Sequence, residues 1–232
     1  MKICYQHVAP EKGRPKFREM LYQLIERSKR SDTEFDIKFM EKAFPHMKYF
    51  ISRYTDFLNS WQLLEAIIQR EKEGYDGVII GCFHDTCLKE ARQVTKIPIV
   101  GPCESSLLFA YLMSDKFAII APSIYDVPRI REKVIGYQLT AKTMIEPLTV
   151  PIDTIIRSLE DPKELIQDFM EVSKHCVKEG AELIIPGCTL MSTIISCAGV
   201  NEIENGVPVL DCVVVSVKLL ETLIEMKEKL GF

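Results

Sequence analysis

The chain has 232 residues, of which 47 % are hydrophobic and 27 % charged, so it can bury a substantial core and is not disordered, collagen-like or a coiled coil. Its 29 basic and 33 acidic residues give a net charge of -4, which provides no basic surface for nucleic acid. No apolar stretch has the length of a signal peptide or a membrane span, so we expect a cytoplasmic protein without a membrane partner. Its eight cysteines are then expected to be thiols rather than disulfides.

Strand-like segments recur along the whole chain. Residues 3–8 form a short strand-like run, and residues 34–40 alternate with the period of two that is typical of a half-buried strand. Five later runs are continuously apolar, as strands covered on both faces are. These are residues 77–81, 97–101, 117–121, 182–186 and 207–210.

Helical periodicity falls between these strands. Apolar side chains share one helix face at Phe17, Leu21, Leu24 and Ile25, again at Trp61, Leu64, Ile67 and Ile68, and again at Leu165, Phe169, Val172 and Cys176. Asp161 and Pro162 predict the N-cap and first turn of that third helix, and residues 213–224 predict an amphipathic last helix. Alternation of helices with buried strands predicts an α/β fold with a mainly parallel sheet.

Two parts of the chain resemble one another. Residues 76–82 and 181–188 are each an apolar strand that ends in Gly-Cys, and each is followed by an apolar segment with a proline in second position. Ligands in open α/β sheets bind beyond the carboxyl ends of the strands. We therefore expect Cys82 and Cys188 to face a crevice between two similar halves.

The positions of these two cysteines suggest acid–base chemistry. A thiol that ends a strand and directly precedes a helix meets unpaired N–H groups and the positive end of the helix dipole, which lower its pKa. Gly81 and Gly187 would let the backbone turn tightly beside a ligand. Two such thiols on opposite sides of a carbon suit inversion of a stereocentre, because one removes a proton and the other delivers one. A carbon acidified by a carbonyl needs no cofactor for this.

The other cysteines are expected to have structural roles. Buried thiols are common core residues, and this interpretation covers Cys4, Cys103, Cys176, Cys197 and Cys212. Residues 82–87 offer a Cys-x-His-x2-Cys pattern, which does not match the usual zinc spacings, and the chain has no Cys-x-x-Cys pair. We therefore expect no metal site and no thiol redox function.

Four segments together resemble a known family. Residues 81–92 (Gly-Cys-Phe-His-Asp-Thr-Cys-Leu-Lys-Glu-Ala-Arg) are similar to the first cysteine motif of hydantoin racemases, in the aspartate/glutamate/hydantoin racemase superfamily. Residues 98–106 resemble the family's Pro-Val-x-Gly-x-x-Glu-Ala stretch, and residues 185–191 its second cysteine motif. Residues 207–211 match its C-terminal strand. The resemblance extends from about residue 75 onward, in the family's order.

This resemblance implies both a fold and a mechanism. The fold is two pseudo-symmetric, flavodoxin-like α/β domains with parallel sheets and the active site in the cleft between them. Residues 1–102 with 209–232 would form the first domain and residues 103–208 the second. The activity is cofactor-independent 1,1-proton transfer with Cys82 and Cys188 as the two bases, and the family suggests a homo-oligomer.

The chain also departs from the hydantoin racemase pattern. Where that pattern has an Asn-Pro-Asn-type turn after the first strand, residues 7–11 are His-Val-Ala-Pro-Glu. Thr86 replaces a proline of the first motif, and residues 189–190 replace small residues of the second. Aspartate and glutamate racemases have Cys-Asn-Thr in the first motif, which residues 82–84 do not match. The chemistry can therefore be shared while the substrate differs.

The candidate substrate-binding residues follow from these positions. Phe83 and His84 follow the first cysteine and Thr189 the second, so their N–H groups could bind a carbonyl or carboxylate oxygen. Ser123 lies at a strand end and offers a similar contact. His7 lies on the divergent first loop, where an exposed histidine more often faces solvent.

The first hypothesis for function is racemisation of a small molecule with an acidic C–H next to a carbonyl, such as a hydantoin or an amino-acid derivative. Glu11 would repel an anionic substrate if it faced the pocket, and no lysine or arginine directly follows either cysteine, so dicarboxylates are disfavoured. A decarboxylase or cis-trans isomerase of a small dicarboxylate on the same scaffold is one alternative. A non-catalytic small-ligand-binding relative, with activity lost through the altered first loop, is the other.

Overall fold

The computed structural model describes residues 1–11, 15–42 and 53–231. Its strands are β1 (Lys2–His7), β2 (Glu34–Lys38), β3 (Gly77–Gly81), β4 (Ile99–Val100), β5 (Phe117–Ala121), β6 (Thr143–Pro147), β7 (Ile184–Pro186), β8 (Glu202–Ile203) and β9 (Val207–Pro208). Its α-helices are α1 (Pro15–Ser28), α2 (Arg53–Lys72), α3 (Leu88–Val94), α4 (Pro102–Met113), α5 (Val127–Gly136), α6 (Asp153–Arg157), α7 (Lys163–Lys178), α8 (Thr189–Cys197) and α9 (Cys212–Leu230).

The first sheet has the strand order β2-β1-β3-β4, and every neighbouring pair is parallel. Val78 of β3 pairs with Cys4 of β1, and all five residues of β3 are buried. Helices cover both faces, because α2 and α3 contribute Leu63 and Leu88 to the cluster on one side while α1 contributes Phe17 to the cluster on the other. A strand buried on both faces must be apolar throughout. The predicted α/β fold with parallel sheets is confirmed.

The second sheet has the order β6-β5-β7 and is also parallel. The predicted strand at residues 207–210 is wrong as a single parallel strand. Its first half, β9, pairs antiparallel with β8, and only Val209 forms a parallel bridge to Ile184. Pro208 has no N–H to donate, so a regular ladder cannot continue through it.

Several predicted boundaries also shift. Of the strand predicted at residues 97–101, only β4 forms, and it begins after Pro98. Of the strand predicted at residues 182–186, only β7 forms. Helix α7 begins at Lys163 with Pro162 as its N-cap, whereas Asp161 accepts only a long 3.3 Å bond from the Lys163 N–H. The sequence pattern does not predict β6, a strand at the edge of its sheet whose residues are all half-buried.

The last helix, α9, returns to the first sheet and packs against β3, α1 and α4. Gly77 leaves room for it, because a Cβ there would lie 2.7 Å from the Leu220 Cδ1 atom. The Asp211 carboxylate starts the helix by accepting the N–H groups of Val213 at 2.8 Å and Val214 at 3.1 Å. The domain boundaries drawn from the family resemblance stay a prediction.

One hydrophobic cluster joins the two sheets. It includes Ile3 and Ile79 from the first sheet and Ile119 and Ile185 from the second, each fully buried. Close packing of this kind fixes the two sheets relative to one another. Within the described residues, no helix has the length and apolar character needed to cross a membrane.

Candidate active site

The two Gly-Cys segments meet although they lie far apart in the chain. Cys82 follows the last residue of β3, and Cys188 lies two residues after the end of β7. The Thr189 hydroxyl, next to Cys188, reaches the Gly81 carbonyl oxygen at 3.5 Å. The Cys188 thiol is also close enough to raise the pKa of Cys82 through its charge. The topology therefore gathers both cysteines at the carboxyl ends of the strands.

The glycine before each cysteine allows a close approach to a neighbouring strand rather than to a ligand. A Cβ on Gly81 would lie 2.5 Å from the Tyr5 Cε1 atom and 2.8 Å from the His7 Cα atom. A Cβ on Gly187 would lie 2.9 Å from the Ile120 carbonyl oxygen. All three distances are shorter than real Cβ contacts, so packing within each sheet requires glycine at these positions.

Cys188 has the environment that the sequence predicts. It is the N-cap residue of α8 in an extended conformation, and its carbonyl oxygen accepts the Ser192 N–H at 2.8 Å. Its side chain is half-buried at the start of the helix. The thiol therefore lies at the positive end of the α8 dipole, a position that favours a negative charge.

Cys82 differs from the prediction, because no helix directly follows it. Residues 82–87 form a turn, with Asp85 and Cys87 at φ values of 48° and 51°, and α3 begins only at Leu88. Cys82 keeps part of its surface open, but enough protein surrounds the thiol that burial raises its pKa to about 12. The His84 N–H and the Thr86 side chain hydrogen-bond to the thiol and lower the pKa by less. The prediction that the pKa of Cys82 is lowered is therefore wrong.

Asp85 explains why the chain turns here. Its two carboxylate oxygens accept the N–H groups of Cys103 at 3.0 Å and Glu104 at 2.8 Å, so it caps α4 from another part of the chain. Gly101 makes room for it, because a Cβ there would lie 2.3 Å from the carboxyl group. Burial raises the pKa of Asp85 to about 7, although the two N–H groups lower it. The turn that holds Cys82 is thus tied to the start of α4.

The candidate residues His84 and Ser123 lie on the same polar network, and Asp126 joins them. The His84 Nε2 atom is 2.8 Å from one Asp126 carboxylate oxygen, and the Ser123 hydroxyl donates to the other at 2.6 Å. His84 follows the first sheet, whereas Ser123 and Asp126 follow β5 of the second. The network therefore bridges the two sheets beside Cys82. Sequence reasoning missed Asp126, which only the Ser-x-x-Asp spacing before α5 could have indicated.

Thr189 and Tyr5 lie close to the two cysteines. Thr189 is buried, and its hydroxyl lies beside that of Tyr5, which is completely buried. Burial raises the pKa of Tyr5 well above its ordinary value, and the thiols of Cys82 and Cys188 are near enough to raise it further. Sequence reasoning missed Tyr5 because its position in β1 predicts only a core residue.

The other two residues predicted to contact the substrate are both buried. Phe83 is 3 % exposed and its side chain belongs to the main core, which leaves its backbone N–H as the predicted contact. His7 is 5 % exposed rather than facing solvent, and its ring packs against Phe17 and Phe39 at centroid distances of 5.4 and 4.9 Å. Its Nδ1 atom accepts a hydrogen bond from the Ala9 backbone N–H at 3.1 Å. The first loop is held in place by these contacts.

Glu11, at the end of that loop, does not present a free charge. Its carboxylate is paired with the Arg18 guanidinium, with an Nη2–Oε2 distance of 2.9 Å. The hydrogen bond from Arg18 lowers the pKa of Glu11, and both side chains are about 40 % exposed. The expected repulsion of an anionic substrate by Glu11 is therefore not supported.

The remaining six thiols lie in the hydrophobic core or at its edge. Cys4, Cys103, Cys176 and Cys212 are buried, and Cys87 and Cys197 are half-buried. Burial raises the pKa of each of these six thiols. Across the described ranges, no three His, Cys, Asp or Glu side chains are grouped so that they could hold a metal ion.

Two surface hollows lie elsewhere on the molecule. One of about 530 Å³ is lined by residues such as Met170 and Val200, and one of about 510 Å³ by residues such as Tyr22 and Phe35. Neither hollow is lined by a cysteine.

Comparison with known proteins identifies a family and several structural neighbours. The family model described as Asp/Glu/Hydantoin racemase matches residues 19–220. A hydantoin racemase from Pseudomonas sp. (strain NS671) is 32 % identical over 182 residues, which cover 77 % of this chain and 70 % of the relative. Among solved structures, an allantoin racemase from Klebsiella pneumoniae superposes with a TM-score of 0.83 at 19 % identity, covering 97 % of this chain and 88 % of the other. A second allantoin racemase, from Pseudomonas fluorescens, gives a TM-score of 0.80 at 16 % identity, covering 97 % and 92 %.

The family match covers most of the chain and includes both Gly-Cys segments. The identity to the Pseudomonas relative extends over more than two thirds of each protein. The chain therefore belongs to the Asp/Glu/hydantoin racemase family and is an isomerase of the racemase type.

Proposed function

We propose that the protein is a cofactor-independent racemase that moves a proton on one carbon by means of Cys82 and Cys188. The substrate is a small molecule with an acidic C–H next to a carbonyl, of the hydantoin type. The observation that carries this proposal is the meeting of the two Gly-Cys segments, joined through the Thr189 hydroxyl and the Gly81 carbonyl oxygen.

The two thiol environments suggest complementary roles. Cys188 at the start of α8 would carry the thiolate, and Cys82, whose pKa burial raises, would carry the proton. The Cys188 thiolate takes the proton from the substrate carbon, and the electron pair of that C–H bond moves toward the carbonyl oxygen. The Cys82 thiol then donates its proton to the opposite face of the carbon. One turnover leaves Cys188 protonated and Cys82 as thiolate, ready for the other enantiomer.

The carbanion needs donors where negative charge develops. The first N–H groups of α8 point toward the carboxyl ends of the strands and are suited to an enolate oxygen. Such donors lower the barrier because they are already oriented before the reaction. The water-poor surroundings that raise the pKa of Cys82 also strengthen these interactions.

A neutral or singly charged ring fits better than a dicarboxylate. The buried Asp126 carboxylate lies beside His84 and disfavours a second negative charge nearby. No lysine or arginine directly follows either cysteine to form a two-point pair with a carboxylate. The relatives named hydantoin racemase and the structural neighbours named allantoin racemase also favour a cyclic ureide.

Exchange of the substrate C–H in D2O tests this function. The protein would be incubated with 5-substituted hydantoins, aspartate, glutamate and substituted malonates, and exchange would be followed by NMR. We expect exchange and loss of optical activity to be faster for a hydantoin than for either amino acid. A preference for a dicarboxylate, or decarboxylation of a malonate without racemisation, would contradict the proposal and favour the alternative chemistry.

We also propose a cytoplasmic homo-oligomer. Thiol catalysis requires a compartment that keeps cysteines reduced. Helix α2 exposes Tyr54, Phe57 and Trp61, which are 62 %, 77 % and 69 % exposed and lie on one helix face. A second copy of the chain covering this face would remove the aromatic surface from water. Analytical ultracentrifugation of the wild type and of Trp61→Glu tests this, and a wild type that sediments as a monomer would contradict it.

A further inference from the structure

The His84–Asp126–Ser123 network has geometry that the proton transfer between cysteines does not use. Asp126 is 2 % exposed, and both of its carboxylate oxygens form hydrogen bonds, one with His84 across the junction of the two sheets and one with Ser123 from the same loop. The His84 side chain is only 14 % exposed. A buried carboxylate held at both oxygens is a rigid acceptor, so the imidazole that it binds is fixed in orientation.

The Asp126 carboxylate determines which ring nitrogen of His84 carries the proton. An ionised carboxylate has no proton to give, so the Nε2 atom must donate to it. In the neutral ring the Nδ1 atom is then an acceptor with a lone pair. Within the part of the chain that the structure describes, Nδ1 forms no hydrogen bond, and it is not sealed away from solvent.

The position of Nδ1 follows from the chemistry of the side chain. Nδ1 is bonded to Cγ and therefore stays near the backbone of its own turn, whereas Nε2 reaches across to Asp126. That turn also holds Cys82, whose thiol accepts the His84 backbone N–H. A fixed acceptor thus lies on the same turn as Cys82, the residue proposed to donate a proton to the substrate carbon.

We propose that His84 is a specificity-determining residue whose Nδ1 atom accepts a hydrogen bond from the N–H attached to the reacting carbon, while Asp126 and Ser123 hold the ring. In a hydantoin this group is N1–H, directly bonded to C5. A site with an oriented acceptor rejects an analogue that cannot donate, because the acceptor is then left unpaired. This inference rests on the proposed function, because it names the part of that substrate which the site recognises.

Binding of unreactive ligands tests the inference separately from catalysis. The compound 5,5-dimethylhydantoin has no C–H to exchange but keeps N1–H, and 1,5,5-trimethylhydantoin lacks that N–H. Titration calorimetry on the wild type should give about tenfold tighter binding of the first compound, as one neutral hydrogen bond supplies. Exchange of a 5-monosubstituted hydantoin in D2O, measured alongside, tests the function itself.

Two substitutions divide the roles of the ring nitrogens. His84→Gln places an amide near Nε2 and can still donate to Asp126, but it has no group at Nδ1. We expect the two ligands to bind this variant within about twofold of one another, whereas His84→Asn, which places an oxygen near Nδ1, should retain about a fivefold preference. Asp126→Asn offers one carbonyl oxygen to two donors and should reduce the preference to about threefold. His175→Gln, at an exposed position in α7, is the control and should retain the wild-type ratio.

The outcomes separate the two proposals. A wild-type preference for the N1–H ligand that survives in His84→Gln, or no preference in the wild type, overturns the role of His84. A preference that disappears in His84→Gln supports it, even if no hydantoin exchanges its C–H. Exchange by the wild type with an unchanged ligand ratio in His84→Gln would leave the proposed function standing and remove only the role of His84.

Discussion

The two Gly-Cys segments leave their strands in different ways. After β7 the chain passes directly into α8, and Cys188 becomes the N-cap of that helix. After β3 the chain makes a six-residue turn before α3, and Cys82 lies in the turn instead of at a helix start. The helix N-terminus therefore acts on one thiol, and burial dominates at the other.

In the proposed mechanism, this difference assigns distinct starting states to the two cysteines. A racemase that works in both directions needs one thiolate and one thiol at any moment, with the roles exchanged after each turnover. An asymmetric pair settles which cysteine begins as base, because the helix favours charge at Cys188 and burial disfavours it at Cys82.

The largest expected effect comes from removing either thiol. Cys82→Ser and Cys188→Ser should each reduce racemisation by at least about a thousandfold, because a general acid or base contributes about 10²–10⁴ in rate. Each variant should still exchange the proton of one enantiomer in D2O, since one base remains on one side. Polarimetry with NMR exchange measures both quantities.

The matched control for this prediction is Cys197→Ser. Cys197 is a half-buried thiol at the end of α8, where its Sγ atom lies 3.7 Å from the Met20 carbonyl oxygen. Its substitution should leave racemisation within about twofold of the wild type. A Cys82 or Cys188 variant that racemises as well as this control would refute the two-base mechanism.

Reactivity toward iodoacetamide sharpens the comparison between the two thiols. At pH 7, Cys188 should be alkylated at least about tenfold faster than Cys82, because burial raises the pKa of Cys82 to about 12. The Cys82 thiolate is therefore scarce at neutral pH. Its rate of alkylation should rise about tenfold per pH unit until the pH reaches that pKa. Peptide mass spectrometry after timed labelling at pH 7 and pH 9 measures both rates. Faster labelling of Cys82 at pH 7, with no rise toward pH 9, would reverse the assigned roles.

The smallest effect concerns the stability of the turn after Cys82. Asp85→Ala removes the carboxylate that accepts the Cys103 and Glu104 N–H groups, leaving both buried without a partner. We expect the free energy of unfolding to fall by about 2 kcal/mol, as the loss of a helix N-cap does. Urea unfolding of the full chain measures it.

Asp161→Ala provides the contrast, because this exposed residue accepts one long bond at the start of α7. Its free energy of unfolding should change by less than about 0.5 kcal/mol. Equal effects of the two substitutions would show that Asp85 does not anchor the turn, and that another contact keeps α3 away from Cys82.

The sequence by itself determined the class of fold and indicated the two Gly-Cys segments that meet in it. Continuous apolar runs such as residues 77–81 and 117–121 are typical of strands buried on both faces, and helical periodicity between them favours parallel connections. The repeated Gly-Cys at two strand ends marks the edge where ligands bind in such sheets. These features depend on local pattern and on topology, which the order of residues records directly.

Only the tertiary structure decided how the two cysteines differ and what surrounds them. Asp85 reaching α4, Asp126 reaching His84, and Glu11 pairing with Arg18 each depend on the packing of segments that no local pattern relates. The pKa of Cys82 depends on how much protein covers its thiol, which the neighbouring residues in sequence do not reveal. Local periodicity specifies elements, whereas burial and long-range contacts arise when those elements pack, and they decide the chemistry of the site.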